Sequence, residues 1–256
     1  MTHSNERSGS IEGRSEAEVE VESGGRRLSG RLFYPEQPRE RNPAIVFLQG
    51  WRSIKDRNFE VAHRLAANSI FCLAIDLSGH GQTEGDPATF SRKDFQDDAT
   101  AAYDFLAGQN GVDPEHISVV GTSFGGYLAV LLSRERRVHS LVLRAPADYP
   151  DKGFTEPRLQ RSDESDLREW RKSVRDSQSS ESLRRIRDFT GSILVVESGS
   201  DDVVPRETVQ SYINAAPNPD EVAHIILENA PHSLSQHPDL KRKYDDILVD
   251  WFRDKK

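Results

Sequence analysis

The sequence predicts an α/β fold built on a mostly parallel, doubly wound sheet, and three observations carry that reading. Short apolar runs, Ala44 to Leu48, Ile70 to Ile75, Ile117 to Val120, Leu141 to Leu143, Ile193 to Val196 and His224 to Leu227, suit strands buried on both faces. Amphipathic stretches separate them, Phe59 to Asn68, Phe95 to Leu106, Thr208 to Ala215 and Leu240 to Phe252, giving the strand-helix alternation of a parallel sheet. The chain of 256 residues is long enough to bury the core of one such domain with a modest insertion, and too short for a second full domain.

In chain order, residues 1–16 are polar and include Ile11-Glu-Gly-Arg14, which reads equally as a protease site of an expression tag or as native sequence, so they are expected to be disordered or tag-like. Residues 17–256 are expected to form the single domain. Val19 to Val21 and Arg27 to Tyr34 alternate apolar with polar residues around Gly24-Gly25, which predicts an antiparallel hairpin near a sheet edge, ended by Pro35 and Pro38. The alternation breaks over about 149–190, a segment crowded with charge. There Leu167, Trp170 and Val174 recur at helical spacing and Ser180 suits the cap of a second short helix. The segment reads as a small helical cap with Trp170 a candidate substrate-binding residue, or as a solvated charged connection.

Composition narrows the function. A net charge of −8 with arginines interspersed among acids disfavours a nucleic-acid surface. The N-terminus has no apolar core of a signal peptide and no run approaches the roughly 18 apolar residues of a membrane span, so a soluble, cytoplasmic protein is expected. The single cysteine, Cys72, lies in an apolar run and reads as a small buried hydrophobe. No His, Cys and Asp spacing suits a metal, and no glycine-rich nucleotide loop is present, so no cofactor is expected.

Chemistry enters at Gly121-Thr122-Ser123-Phe124-Gly125, which fits Gly-x-Ser-x-Gly between the β-branched run His116 to Val120 and the helix formers Tyr127 to Leu132. A serine at such a strand-turn-helix junction sits on a nucleophile elbow, where only glycine fits two positions before and after it. Ser123 is therefore the candidate nucleophile.

With that elbow, followed by acids and then a late histidine, the chain over about Val19 to Phe252 resembles the α/β-hydrolase superfamily, especially its small dienelactone-hydrolase-like and cinnamoyl-esterase-like esterases. The resemblance implies an acid after the strand Ile193 to Val196. Asp201 stands four residues before Pro205 and is the first choice, Asp202 the second and Asp148 a remote third. It implies a histidine beyond the last strand, where His232 lies in Glu228-Asn-Ala-Pro-His232. His224 reads as structural, His237 begins a helical turn, and His63 and His139 read as ordinary residues. The three candidates run Ser, Asp, His, the order of this fold.

Leu48-Gln-Gly-Trp51 resembles the family's oxyanion loop, with Gln49 where a histidine is usual. The resemblance gives the backbone amides of Trp51 and Phe124 as the oxyanion donors, and the Trp51 indole reads either as a pocket wall or as a packed core aromatic. Gly79-His80-Gly81 resembles the loop beside such sites, with His80 a structural hydrogen-bonding residue before it is a second base. Arg52, Lys55 and Arg57 either attract an acidic substrate or form a solvated charged turn.

The expected activity is a serine hydrolase that cleaves carboxylic esters of small or compact acyl groups through an acyl-enzyme. Thioesterase, acyltransferase and peptidase chemistry would use the same residues, and a non-catalytic ligand-binding member of the fold is the alternative of another class. The partner expected is a small-molecule ester, with monomer and homo-oligomer equally compatible.

Overall fold

The computed structural model describes residues 15–158, 164–218 and 221–254. Its eight strands are β1 (Glu16–Ser23), β2 (Arg26–Phe33), β3 (Asn42–Leu48), β4 (Phe71–Ile75), β5 (Val112–Thr122), β6 (Ser140–Arg144), β7 (Ser192–Ser198) and β8 (Ala223–Leu227). They lie side by side in the order β1-β2-β4-β3-β5-β6-β7-β8. β1 pairs with β2 and β2 with β4 antiparallel, while every pairing from β4 through β8 is parallel. Each apolar run named from the sequence lies in or overlaps one of these strands.

Burial on both faces explains why the runs in β3 to β7 do not alternate, whereas β8 corrects the expectation: it is the edge strand of the sheet, and its Ile225 is exposed. On one face α2 (Arg92–Ala107), α3 (Phe124–Glu135), α5 (Glu181–Arg187) and α6 (Arg206–Ala215) pack on Val46, Leu73, Val119, Leu143 and Val195. On the other, α1 (Phe59–Ala66) and α7 (Pro238–Asp254) cover Ile45, Phe47, Val120, Val142 and Val196. Cys72 is wholly buried in β4, where desolvation pushes its thiol pKa up. Between β6 and β7, α4 (Glu164–Arg171) is followed by α5, whose Ser180 cap accepts a hydrogen bond from the Leu183 amide at 3.3 Å.

Two more expectations are corrected. Residues 1–14 of the N-terminal segment lie outside the described residues, but Ser15 and Glu16 belong to the fold. The Ser15 carbonyl accepts from the Tyr34 amide at 3.0 Å, and Glu16 opens β1 opposite Phe33. The apolar stripe of α4 also stops early, because the helix ends at Arg171 and Val174 beyond it is 50% exposed.

The functional consequence lies at the strand ends. β3 leads outward to β4, and the chain then crosses back to place β5 on β3's other side. Loops leaving the carboxyl ends of two such strands diverge, and the crevice between them is where ligands bind in open α/β sheets. Trp51, Ser123, Asp201 and His232 follow β3, β5, β7 and β8, all at this edge.

Candidate active site

Ser123 sits between the last residue of β5 and the first of α3, with φ 54° and ψ −114°. A non-glycine residue held there stores about 1–3 kcal/mol of strain, which its neighbours maintain. The Ser123 amide donates to the Arg144 carbonyl at 2.9 Å, and its carbonyl accepts from the Gly126 and Ala147 amides at 2.9 and 3.0 Å. Glycine is obligatory on either side of the turn. A Cβ on Gly121 would lie 2.3 Å from the Gly125 carbonyl oxygen, and one on Gly125 would lie 2.0 Å from that of Leu48. The second contact also sets the site's architecture, since only the missing Cβ lets the end of β3 cross against the elbow.

The structure brings His232 and Asp201 to this serine. His232 Nε2 lies 3.0 Å from Ser123 Oγ, and His232 Nδ1 lies 2.7 Å from Asp201 Oδ2. The second Asp201 oxygen accepts from the Val203 and Val204 amides at 2.9 and 2.8 Å, so the turn after β7 grips the carboxylate and aims it at the imidazole. Asp202 is exposed. Asp148 is buried elsewhere, accepting from Ser180 and Ser182 at 2.8 and 2.5 Å and from Trp170 Nε1 at 3.3 Å. Desolvation raises its pKa against those hydrogen bonds.

The loop after β3 is held from behind by the residue that replaces the usual histidine. Gln49 Nε2 donates to the Ser53 carbonyl at 2.9 Å, and the Ser53 amide returns to the Gly50 carbonyl at 3.0 Å, closing a turn in which Arg52 takes φ 57°. The turn presents Trp51 beside the elbow, its ring edge-on to Phe124 at 5.7 Å, to His80 at 5.2 Å and to Phe95 at 5.7 Å. Phe124 is the first residue of α3, and its amide has no partner within the helix. The Trp51 and Phe124 amides have no acceptor among the described residues.

His80 supports this wall from inside. Its Nδ1 contacts the Ser78 carbonyl at 3.0 Å, its Nε2 is buried without a partner, and burial lowers its pKa against the raising influence of Ser78, Asp76 and Asp98. A histidine with a folded pKa below its unfolded value of about 6.5 binds fewer protons when folded. Stability is therefore full above that value and falls as pH drops from there toward the folded pKa. The melting temperature is expected to decline below about pH 6.5, and His80→Gln to flatten that slope. Parallel slopes in the two proteins would assign the decline to other groups.

The cavity above Ser123 has a volume of about 760 Å³. Trp51, Tyr149, Leu167 and Arg171 line it beside Ser123 and His232. Trp170 is a correction to the sequence reading, because it does not line this cavity. Its indole turns to Asp148 and its ring carries the Arg175 guanidinium at 4.1 Å, leaving Leu167 and Arg171 as the α4 residues that face Ser123's cavity. Lys55 is a second correction: it is 3% exposed and locked to Asp76 Oδ2 at 2.7 Å and Gln82 Oε1 at 2.8 Å, neither solvated nor in the cavity. Arg52 and Arg57 are exposed at the cavity's rim.

One site residue escaped the sequence reading. Arg144 closes β6 and reaches under the histidine loop, donating Nη2 to the His232 carbonyl at 2.5 Å and to Ser198 Oγ at 3.3 Å. The available signal was an arginine at the end of an otherwise apolar strand.

The family model described as serine aminopeptidase, S33, matches residues 39–165, the stretch from just before β3 through the elbow and β6 to the start of α4. The chain belongs to the α/β-hydrolase superfamily. Among relatives of this superfamily member, an uncharacterized protein of Mycobacterium tuberculosis is 29% identical over 209 residues, covering 82% of this chain and 69% of the relative. A thiohydrolase of Aspergillus aculeatus is 32% identical over 108 residues, covering 41% of this chain and 33% of its own. Among solved α/β-hydrolase-like structures, Est1E from Butyrivibrio proteoclasticus with bound ferulic acid superposes with a TM-score of 0.69 at 16% identity, over 91% of this chain and 98% of that one. The complex of DcsB with its substrate analogue gives 0.70 at 14% identity, over 94% and 99%. At those identities the likeness is one of fold. Among the described residues, no cluster of His, Cys, Asp or Glu could hold a metal ion, and no helix is long and apolar enough to cross a membrane.

Proposed function

We propose that the protein is a serine hydrolase that cleaves carboxylic esters of small or compact acyl groups through an acyl-enzyme. The observation that carries this reading is the continuous contact from Asp201 through His232 to Ser123 Oγ, on an elbow whose strain exposes that oxygen to the cavity. A serine hydroxyl is a weak nucleophile until an imidazole accepts its proton, and the imidazole needs a carboxylate to fix its tautomer and stabilise its charge.

In the reaction Ser123 Oγ attacks the carbonyl carbon as its proton passes to His232 Nε2. The developing oxyanion is met by the Trp51 and Phe124 amides, each such donor worth about 10²–10³ in rate, with the N-terminus of α3 adding its positive dipole end. Collapse breaks the bond to the alcohol, which leaves with the proton from Nε2. Water then enters, gives a proton to Nε2 and attacks the acyl carbon, and the returning proton frees Ser123 with release of the acid.

Among the described residues between β6 and β7, the charged helices α4 and α5 offer no broad apolar surface for meeting a lipid interface, which supports compact acyl groups. The likeness to a protein named thiohydrolase favours thioesters as the second reading. A fluorophosphonate probe tests the common core, with stoichiometric labelling expected at Ser123 and none for a ligand-binding protein without an activated hydroxyl. A panel of esters, thioesters and amides of graded acyl length then separates the reactions, and the highest kcat/KM is expected for short or compact aromatic esters.

A further inference from the structure

Among the described residues, seven arginines and lysines line the cavity above Ser123 against two carboxylates, and Lys241 among the seven is paired from behind the lining by Asp245 at 2.5 Å, in a chain whose net charge is −8. The acidic surface of the molecule therefore gives way to a basic site. Two of those cations are built into the wall. Arg144 is 4% exposed, its Nε is buried without an acceptor, and its two hydrogen bonds go to uncharged oxygens of His232 and Ser198. Arg171 lies 4.7 Å over the Tyr149 ring and donates Nε to the Asp148 carbonyl at 3.2 Å, while its Nη2 is buried without an acceptor.

A guanidinium stays charged in any protein environment, and one held out of water without a counter-charge is strongly disfavoured. Asp201, whose field acts on Arg144, is already committed to His232 and the Val203 and Val204 amides. An anion entering the cavity from solution would answer this imbalance. A carboxylate matches the planar, edge-on donors of a guanidinium fixed by stacking, and such charge-assisted pairs are among the stronger hydrogen bonds. Arg57 and Arg242, exposed at the rim, add a field that would draw an anion in.

We propose that the ester or thioester hydrolysed at Ser123 carries a carboxylate, on its acyl or its alcohol part, and that Arg144 and Arg171 supply the counter-charge within the cavity. This rests on the serine-hydrolase reading above.

The test compares matched esters with wild-type protein, normalised to their hydroxide rates. For the acyl side these are the phenyl monoester of terephthalic acid and phenyl 4-acetylbenzoate, and for the alcohol side 4-carboxyphenyl acetate and 4-acetylphenyl acetate. In at least one pair kcat/KM for the carboxylate ester is expected to exceed that for the neutral one by about tenfold or more, with the advantage shrinking as salt rises. The pair that shows it places the carboxylate on the acyl or the alcohol part. Arg171→Met and Arg144→Met are each expected to lower that ratio by about tenfold. If Arg144→Met does not fold, the wild-type ratio and Arg171→Met decide. A wild-type ratio near one in both pairs, or no turnover of either carboxylate ester by protein whose Ser123 takes the fluorophosphonate, overturns the proposal. Absence of labelling overturns the serine-hydrolase reading beneath it instead.

Discussion

Ser123→Ala is expected to lower kcat for a small activated ester by roughly 10⁴-fold or more, the loss typical of a nucleophile in such a set. The fold should survive, because the elbow is held by backbone contacts that do not involve Oγ. Ser123 N still donates to the Arg144 carbonyl, and its carbonyl still receives the Gly126 and Ala147 amides. Oγ itself contacts His232 Nε2, so its removal takes away the attacking atom and little else. The measurement is a steady-state rate on the purified variant, paired with a thermal melt that stays close to the parent's. Retention of more than about a tenth of the activity, against a triad-scale loss, would mean that acyl transfer does not pass through this serine.

The two glycines, the β-branched run and the helix formers around Ser123 each speak for a local geometry, so the elbow was legible in the sequence. The same holds for β3 to β7, whose uninterrupted apolar runs follow from burial on both faces, but not for the edge strand β8, whose apolar run leaves Ile225 exposed. The hairpin edge was legible too, but not that Ser15 and Glu16 extend it, since pairing with Phe33 and Tyr34 is decided across the sheet. What failed was side-chain direction. Trp170 looked like a pocket aromatic because helical spacing identifies a face without saying what the face meets, and here it meets Asp148 and Arg175. Lys55 looked like a surface charge, whereas Asp76 lies 21 positions along the chain and only folding brings the two together. Arg144 was hidden for the same reason, its partners His232 and Ser198 coming from the loop after β8 and the end of β7.

The two adjacent carboxylates after β7 give the second large effect, because local geometry separates them completely. Asp201 spends one oxygen on His232 Nδ1 and the other on the amides of Val203 and Val204, whereas Asp202 is exposed to solvent. Asp201→Asn leaves the volume unchanged but presents an amide to the imidazole. If its NH2 faces Nδ1, the imidazole must accept there and carry its proton on Nε2, where it can no longer take one from Ser123. A substitution of this kind in a Ser-His-Asp set costs on the order of 10⁴ in kcat, and a comparable loss is expected here with KM little changed. Asp202→Asn removes an exposed charge and is expected to stay within about threefold of the parent, a barrier change of the size usual for surface substitutions. Activity measured on both variants under identical conditions decides between the neighbours. The reverse order of losses would move the acid to Asp202 and require the turn after β7 to be gripped differently from the arrangement in which two backbone amides hold Asp201.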